Sequence, residues 1–147
     1  MTALALSGCV VAEPLPVCDM AAINQQRMVA AAPSATPEGI SPLKEMPLNS
    51  VSITDSAIIN KVYVRSISAR RTPAGTVEVW SQVQNCTDFP LHAEARTQFY
   101  DGSQYPSEPV SAWKRIYLDP RTSNTYREFS TGTKSVNFYM VEMREGR

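Results

Sequence analysis

The sequence has no excess of either charge. Lys and Arg together number 14, as do Asp and Glu, so the formal net charge at pH 7 is zero. A nucleic-acid binder needs surplus cations to replace the counterions around phosphates, and the balance argues against that class of protein. It also argues against docking to anionic lipid by charge alone. Neither nucleic acid nor a bare anionic membrane surface is therefore an expected partner.

Catalytic motifs are equally scarce. Glycine occurs only six times, and no phosphate-cradling glycine loop is present, which argues against nucleotide chemistry. His92 is the single histidine, and no Gly-x-Ser-x-Gly turn, Cys-x-x-Cys pair or His-x-x-x-His spacing accompanies it. The carboxylate pairs Glu94 with Glu128 and Asp101 with Glu108 have no support beyond residue type. We predict no catalytic residue, no metal site and no cofactor, and we interpret His92 as a solvated surface side chain.

No apolar run approaches the roughly 20 residues that a membrane-spanning helix needs. The longest such run lies at the N-terminus and ends in Leu6-Ser7-Gly8-Cys9. This tetrapeptide resembles the lipobox of bacterial lipoproteins, in which Leu and two small residues precede a cysteine that becomes acylated. The small side chains let the backbone enter a narrow protease site, and the Cys9 thiol becomes the point of lipid attachment.

The lipobox resemblance implies that residues 1–8 are a truncated signal segment, removed in the mature protein. Eight residues without Lys or Arg are fewer than a signal peptide needs, so we expect the natural segment to begin further upstream. Acylated Cys9 would then be the mature N-terminus and would hold the protein on a membrane through several chains. The residue after Cys9 is Val10 rather than Asp. By resemblance to enterobacterial sorting rules, this favours the outer membrane, with the protein facing the periplasm.

Residues 9–50 are predicted to form a lipid-anchored, Pro-rich extended tether. They contain no aromatic residue, so they can bury little apolar surface to offset the entropy of ordering. A short helix over Asp19–Ala32, ended by Pro33, is an alternative within this segment. Deleting residues 10–50 is therefore expected to leave the stability of the remainder nearly unchanged. The prolines are Pro14, Pro16, Pro33, Pro37, Pro42 and Pro47.

Residues 51–147 are predicted to be all-β, in an immunoglobulin-like antiparallel β-sandwich. Alternation of apolar and polar residues is clearest in Leu91–Tyr100, which is followed by the hairpin signal Asp101-Gly102. Short segments of this kind, separated by turn residues, are typical of a sandwich. The predicted strands are Ile58–Arg70, Thr76–Cys86, Leu91–Tyr100, Ala112–Leu118, Thr122–Phe129 and Val136–Met143.

Several short motifs follow one another through Val83–Met143: Val83-Gln84-Asn85, Phe89-Pro90-Leu91, Phe99-Tyr100-Asp101-Gly102, Trp113 to Leu118, Thr125 to Ser130, and Asn137 to Met140. Their order resembles that of the YcfL-like family of predicted periplasmic lipoproteins. The resemblance covers about the last two fifths of the chain and leaves out the Pro-rich tether and Ile58–Arg70. It implies an immunoglobulin-like sandwich and an envelope location, and it implies no activity.

Two cysteines remain once Cys9 is assigned to lipid. Cys18 and Cys86 form an even pair, and an oxidising compartment would allow them to join. A disulfide between them would pin the tether to the sandwich and contribute about 2–4 kcal/mol. The alternative is a small buried Cys86 and a free thiol at Cys18, and the sequence does not separate the two.

Outward-facing aromatic residues are the candidate binding residues. In Thr76–Cys86, the valines at positions 77, 79 and 83 share one face, which places Trp80 outward among polar residues, and Tyr100 is outward in the next strand. Exposed aromatic residues among polar ones are enriched at interfaces. Trp113, Tyr117 and Tyr139 are assigned to the register opposite Ile116, Leu118 and Val141. A slip of one residue would exchange the faces, and for Trp113 a core position is the favoured alternative.

Three functions compete. The first is a non-enzymatic binding or scaffold lipoprotein of the cell envelope, which engages a protein partner, for example within an envelope-spanning assembly such as a secretion system. The second is a small-ligand or glycan-binding module that uses Trp80 or Trp113 as a stacking platform. The third, a cell-wall hydrolase, would need a pocket with clustered carboxylates. We favour the first and predict that the chain is not an enzyme.

Overall fold

The computed structural model describes residues 18–19, 21, 23, 48–53, 55–132 and 136–147. Residues 1–8, Cys9 and the prolines of the tether lie outside the described residues. Among those described, no helix is long and apolar enough to cross a membrane. The strands are β1 (Ser50–Ile53), β2 (Val62–Arg71), β3 (Val77–Asn85), β4 (Leu91–Tyr100), β5 (Lys114–Leu118), β6 (Ser123–Phe129) and β7 (Phe138–Glu145).

The strands form two sheets, and the prediction of an all-β sandwich is confirmed. One sheet has the order β1-β7-β4-β5 and the other the order β2-β3-β6. Every pairing is antiparallel except that of β1 with β7, which is parallel. Each strand has one face toward the other sheet, so a period of two in the sequence separates core residues from surface residues.

The core lies between the two sheets. In β3 the alternation buries Val79 and Val83 completely, and in β4 it buries Ala93, Ala95 and Phe99, as predicted from the sequence. Fully burying a valine or phenylalanine side chain contributes about 1.5–3 kcal/mol. The buried cluster consists of Ile53, Ile58, Val62, Val77, Val79, Val83, Ala93, Ala95, Phe99, Ile116, Leu118, Tyr126, Val136, Tyr139, Val141 and Met143.

The N-terminal part of the sandwich differs from the prediction. Strand β1 was not predicted, because a four-residue Ser-Val-Ser-Ile segment next to Pro47 has too short a pattern to recognise. Ile58 does not begin a strand: it lies in a turn that starts at Asp55, whose carboxylate accepts hydrogen bonds from the backbone N–H groups of Ala57 and Glu145. These bonds hold the pKa of Asp55 below its usual value. The turn carries Ile58 into the core before β2 begins.

The described part of the tether is attached to the sandwich. A disulfide joins Cys18 to Cys86, with the two Cα atoms 5.8 Å apart. Asp19 then caps a helical turn: its carboxylate accepts from Ala21 N–H at 2.9 Å, and Ile23 N–H donates to the Asp19 carbonyl at 3.0 Å. The Ile23 side chain is completely buried. The expectation that residues 10–50 can be removed at little cost is therefore wrong, because a covalent bond and a buried side chain would be lost with them.

The turn between β3 and β4 is built around one buried amide. The Asn85 side chain is fully buried, and its Nδ2 donates to the carbonyl oxygens of Phe89, Leu118 and Asp119 at 2.6, 3.1 and 3.1 Å. Its Oδ1 accepts from both the backbone N–H and the hydroxyl of Thr87, each at 2.8 Å. Asn85 thus ties the turn after β3 to the turn after β5 and fixes one end of the sandwich.

A buried phenol makes the stability of the sandwich fall at alkaline pH. Tyr126 is only 2% exposed, and its hydroxyl is hydrogen-bonded to that of Thr97 at 2.9 Å. Burial disfavours the phenolate and raises the pKa of Tyr126 from 10.0 to about 12. Because the folded-state pKa is the higher one, the stabilisation is complete below pH 10 and is lost as the pH rises toward 12.

We predict that Tyr126→Phe removes this alkaline loss. Between pH 10 and 12, the free energy of unfolding of the unaltered protein should fall by about 2–3 kcal/mol more than that of the variant. Urea denaturation across the pH range measures the difference. Thr97→Val is the matched control, since it removes the same hydrogen bond but keeps the phenol. Identical pH profiles for the unaltered protein and Tyr126→Phe would contradict the prediction.

Candidate functional site

The structure does not bring the two predicted binding residues together. Trp80 lies on the outer face of β3, and Tyr100 lies on the outer face of β4. Because β3 and β4 belong to different sheets, the two side chains are on opposite surfaces of the sandwich. Both are half-buried. The outward orientation follows from the alternation in each strand, but a shared site for the two does not.

Trp80 lies beside a buried carboxylate. The Glu78 side chain is 3% exposed and forms ion pairs with Arg70 of β2 at 2.6 Å and Arg127 of β6 at 3.1 Å. The register explains the arrangement, because Arg70 is opposite Glu78 and Arg127 is opposite Trp80. The Arg70 guanidinium carbon is 5.8 Å from the centroid of the indole, so the ring is partly covered by a cation.

We predict that Trp80→Ala lowers the free energy of unfolding by less than about 1 kcal/mol. The indole is on the outer face of the sheet and loses only partial burial and one distant cation–π contact. Phe99→Ala, at a core position that is 1% exposed, should instead cost about 3–5 kcal/mol. Chemical denaturation of the purified protein measures both. A cost for Trp80→Ala in the range of Phe99→Ala would mean that Trp80 supports the fold rather than a binding surface.

The outer face of the four-stranded sheet carries a more highly organised group, which we call the Trp113 cluster. It consists of Trp113, Arg96, Arg144, Glu94 and Glu142. The guanidinium carbons of Arg144 and Arg96 are 3.8 and 4.4 Å from the centroid of the Trp113 indole. Trp113 is half-buried on this outer face, so the core position favoured for it from the sequence is wrong.

Strand register assembles the Trp113 cluster. Across the β4–β7 pair, Glu94 is opposite Arg144 and Arg96 is opposite Glu142, so the charges alternate in a checkerboard. The ion pairs measure 2.9 Å for Arg144 with Glu94 and 2.7 Å for Arg96 with Glu142. Arg115 of β5 also pairs with Glu94, at 3.1 Å. Hydrogen bonds from Arg115 and Arg144 hold the pKa of the Glu94 carboxyl below its usual value.

A depression of about 430 Å³ lies next to the cluster. Partly exposed ion pairs such as these contribute at most about 1 kcal/mol each to stability, so their clearest effect is to orient the guanidinium groups. Arginine and tryptophan held in this way form a polar surface with one aromatic centre. The residues that line the depression are Asp55, Ser56, Arg96, Trp113, Glu142, Arg144 and Arg147.

A second depression, of about 360 Å³, opens near the start of β7. Tyr139 contributes to its lining but is only 8% exposed and points inward with Val141. Its assignment to the register opposite Val141 is wrong, because two residues that are two apart in a strand face the same way. Phe138 is on the outer face instead, opposite Tyr100.

The groups considered for catalysis are engaged in structural contacts. His92 is exposed, and its ring is 4.9 Å from that of Tyr117. Asp101 accepts from the N–H groups of its own turn, and Glu108 accepts from Thr131 and Gly132. Glu128 is paired with Lys114, at 2.9 Å. Within the described ranges, no group of three or more His, Cys, Asp or Glu side chains is placed to hold a metal ion.

The sequence contains part of the signal for the Trp113 cluster. Glu94 and Arg96 alternate outward in β4, as do Glu142 and Arg144 in β7, which indicates two charged strand faces. What single-strand patterns lack is the pairing between distant strands, and the cluster depends on β4 lying between β5 and β7. From the sequence, Trp113 is a candidate only for its aromatic ring, and no pattern within its own segment links it to these charges.

Comparisons with known proteins give the fold. No protein-family model and no curated protein matches the sequence. The solved structure of Campylobacter jejuni cj0090 matches with a TM-score of 0.51 and 12% identity, covering 67% of this chain and 99% of that chain. A DUF1425 family member from Shewanella sp. pv-4 matches with a TM-score of 0.50 and 18% identity, covering 58% and 79%. At these identities the chain shares a fold with both proteins, and neither is named as an enzyme.

Proposed function

We propose that the chain is a lipoprotein of the bacterial cell envelope that binds a protein partner and catalyses no reaction. In this proposal the acyl chains on Cys9 hold it in the outer membrane, facing the periplasm. The lipobox resemblance of Leu6-Ser7-Gly8-Cys9 supports the anchor. The motif order of the YcfL-like family supports the envelope location, and the fold shared with a DUF1425 member agrees with that resemblance. A subunit of an envelope-spanning assembly, such as a secretion system, would have these properties.

The observation that carries the binding role is the Trp113 cluster. Tryptophan and arginine are the side chains that most often dominate the energy of protein interfaces. Here, one tryptophan and two arginines are held in place before any partner arrives, which lowers the entropic cost of association. The Trp113 cluster therefore takes precedence over Trp80 and Tyr100, which remain proposed binding residues on separate surfaces.

The same contacts weigh against the competing functions. A sugar that stacks on an indole needs its face, but the indole of Trp113 already has two guanidinium groups within 4.4 Å. A glycan would have to compete with these two groups for the ring. A hydrolase would need free carboxylates, whereas those of Glu94 and Glu128 are occupied by ion pairs. Protein binding requires neither change.

The anchor has a direct test. Expressed with a complete signal segment, the protein should partition into the detergent phase and incorporate labelled palmitate, because two or more acyl chains give stable membrane attachment. Cys9→Ser should abolish both results. Val10→Ser, beside the lipidated position, serves as the control and should keep both. A Cys9→Ser protein that remains labelled and membrane-bound would show that the anchor is elsewhere.

The binding surface has a separate test. A photo-crosslinking amino acid at Ser56, which is exposed and lines the depression, should give a discrete crosslinked product in intact cells. The matched control is the same amino acid at Thr125, exposed on the outer face of the other sheet. Trp113→Ala should remove the product formed from position 56. Products of equal yield from both positions, or a product that survives Trp113→Ala, would count against the Trp113 cluster.

A further inference from the structure

Two exposed aromatic side chains lie at one end of the sandwich, which we call the Cys86 end. It comprises the turn 86–90, the turn 119–122 and the adjoining start of β4 and end of β5. Phe89 in the first turn is 71% exposed, and Tyr117 near the end of β5 is 60% exposed. Aromatic residues this exposed contribute little to the core, and two of them near one end of the domain offer an apolar contact to another surface.

Phe89 is presented on a rigid turn. Its carbonyl accepts a hydrogen bond from Asn85 Nδ2 at 2.6 Å, and its N–H donates to the Thr87 hydroxyl at 3.2 Å. The turn is also held to its neighbour, because Arg121 N–H donates to the Thr87 carbonyl at 3.1 Å. The backbone is therefore fixed while the ring projects into solvent.

The disulfide determines which end of the domain is closest to the anchor. Cys86 is three residues before Phe89 and is bonded to Cys18. Only nine residues lead from Cys9 to Cys18, which gives a reach of at most about 30 Å. Without the bond, the connection would run 41 residues from Cys9 to Ser50, with a maximum reach near 140 Å, or about 3.4 Å per residue. The bond thus keeps the Cys86 end within a short distance of any lipid on Cys9.

We propose that the Cys86 end rests on the membrane that holds the lipid anchor, with the Phe89 ring in the interfacial region and Tyr117 beside it. This inference rests on the proposed anchor at Cys9. Aromatic side chains favour the boundary between headgroups and acyl chains, and a short tether raises the effective concentration of a weak contact. Since the contact is apolar and the chain carries no net charge, it does not need anionic lipid. The Trp113 cluster is on the same outer sheet face as Tyr117 but further from this end, so it stays open to the periplasm.

Site-specific fluorescence quenching tests the orientation. Trp80→Phe and Trp113→Phe remove the natural tryptophans, and a single tryptophan is then introduced by Phe89→Trp or by Tyr105→Trp. Tyr105 is the matched control, because it is 70% exposed and follows β4 at the opposite end of the sandwich. The acylated proteins are placed in neutral phosphatidylcholine vesicles with brominated acyl chains. Circular dichroism verifies that each protein is folded. If Trp80→Phe and Trp113→Phe together unfold the protein, Phe89→Trp and Tyr105→Trp are made in the chain that keeps both natural tryptophans. The quenching that each added tryptophan contributes is then the difference from the unaltered protein.

The outcomes separate the orientation from the anchor. Vesicle flotation reports the anchor, and its failure would overturn the proposed function. If the proteins float, bromolipid should quench the fluorescence from position 89 strongly and that from position 105 little. Equal quenching at both positions would overturn the orientation. So would a tryptophan at position 89 that neither bromolipid nor aqueous iodide quenches, because that result would indicate that protein covers the side chain. Adding Cys18→Ser and Cys86→Ser should keep flotation and reduce quenching at position 89; undiminished quenching would overturn the role of the disulfide.

Discussion

Replacing both Cys18 and Cys86 by serine is expected to lower the free energy of unfolding by about 2–4 kcal/mol. The bond closes a long loop, with a sequence separation of 68, and so restricts the unfolded chain substantially. It also holds the helical turn that carries the buried Ile23 side chain. Denaturation in urea, followed by tryptophan fluorescence, measures the change.

Reduction gives an independent comparison. The unaltered protein treated with dithiothreitol should lose the same stability as the double serine variant, and dithiothreitol should not affect that variant further. Ile23→Ala separates the second contribution, because it keeps the bond but removes a fully buried side chain, at an expected cost of about 2–5 kcal/mol. A double serine variant as stable as the unaltered protein would mean that the bond does not contribute to folding.

Asn85→Ala is expected to cost about 3 kcal/mol, although it removes only one small polar side chain. Of the three carbonyl oxygens that Asn85 Nδ2 serves, that of Asp119 also accepts from the Thr122 N–H, but that of Leu118 loses a buried donor and the Thr87 N–H loses its acceptor. Each unsatisfied buried polar group costs about 1–3 kcal/mol unless water enters. Asn85→Asp should be at least as harmful, since a carboxylate would face the same three carbonyl oxygens. Thermal and chemical denaturation measure both variants.

Asn124 provides the control for this prediction. It is an exposed asparagine on β6, whose side chain donates to the Tyr117 carbonyl at 2.9 Å, so Asn124→Ala should cost less than about 1 kcal/mol. A similar small cost for Asn85→Ala would show that water replaces the amide and that the turn does not depend on it. In that case the hydrogen bond from Asn85 would not be what holds the backbone of Phe89 rigid.

The sequence predicted the sandwich well where its strands alternate. Leu91–Tyr100 was placed with the observed bounds, and the buried faces of β3 and β4 were assigned correctly. In these strands small or apolar side chains face the core and mostly polar ones occupy the other face, which is the arrangement that a period of two reports. Strand β1 is different: only four residues pair with β7, and their partner lies about 90 residues away in the chain. A contact so distant leaves no local pattern.

The candidate binding site was harder to predict for the same reason. The outward direction of Trp80 and Tyr100 follows from each strand separately, but the sheet to which each strand belongs does not. The Trp113 cluster needs β4 between β5 and β7, with a register that sets Glu94 between Arg115 and Arg144. A change of register by one residue on either side would disperse the charges and leave the indole without its cations.

The Cys18–Cys86 bond has a mechanical consequence. A pull on the N-terminal segment would otherwise enter the domain at Ser50 and load the edge strand β1 in shear against the parallel β7. With the bond in place, the load passes from Cys18 to Cys86, just after β3, which is the central strand of its sheet. The short edge strand is then outside the path of the force. We expect single-molecule pulling between residue 17 and the C-terminus to release a shorter contour length from the oxidised than from the reduced protein, because the loop closed by the bond cannot extend.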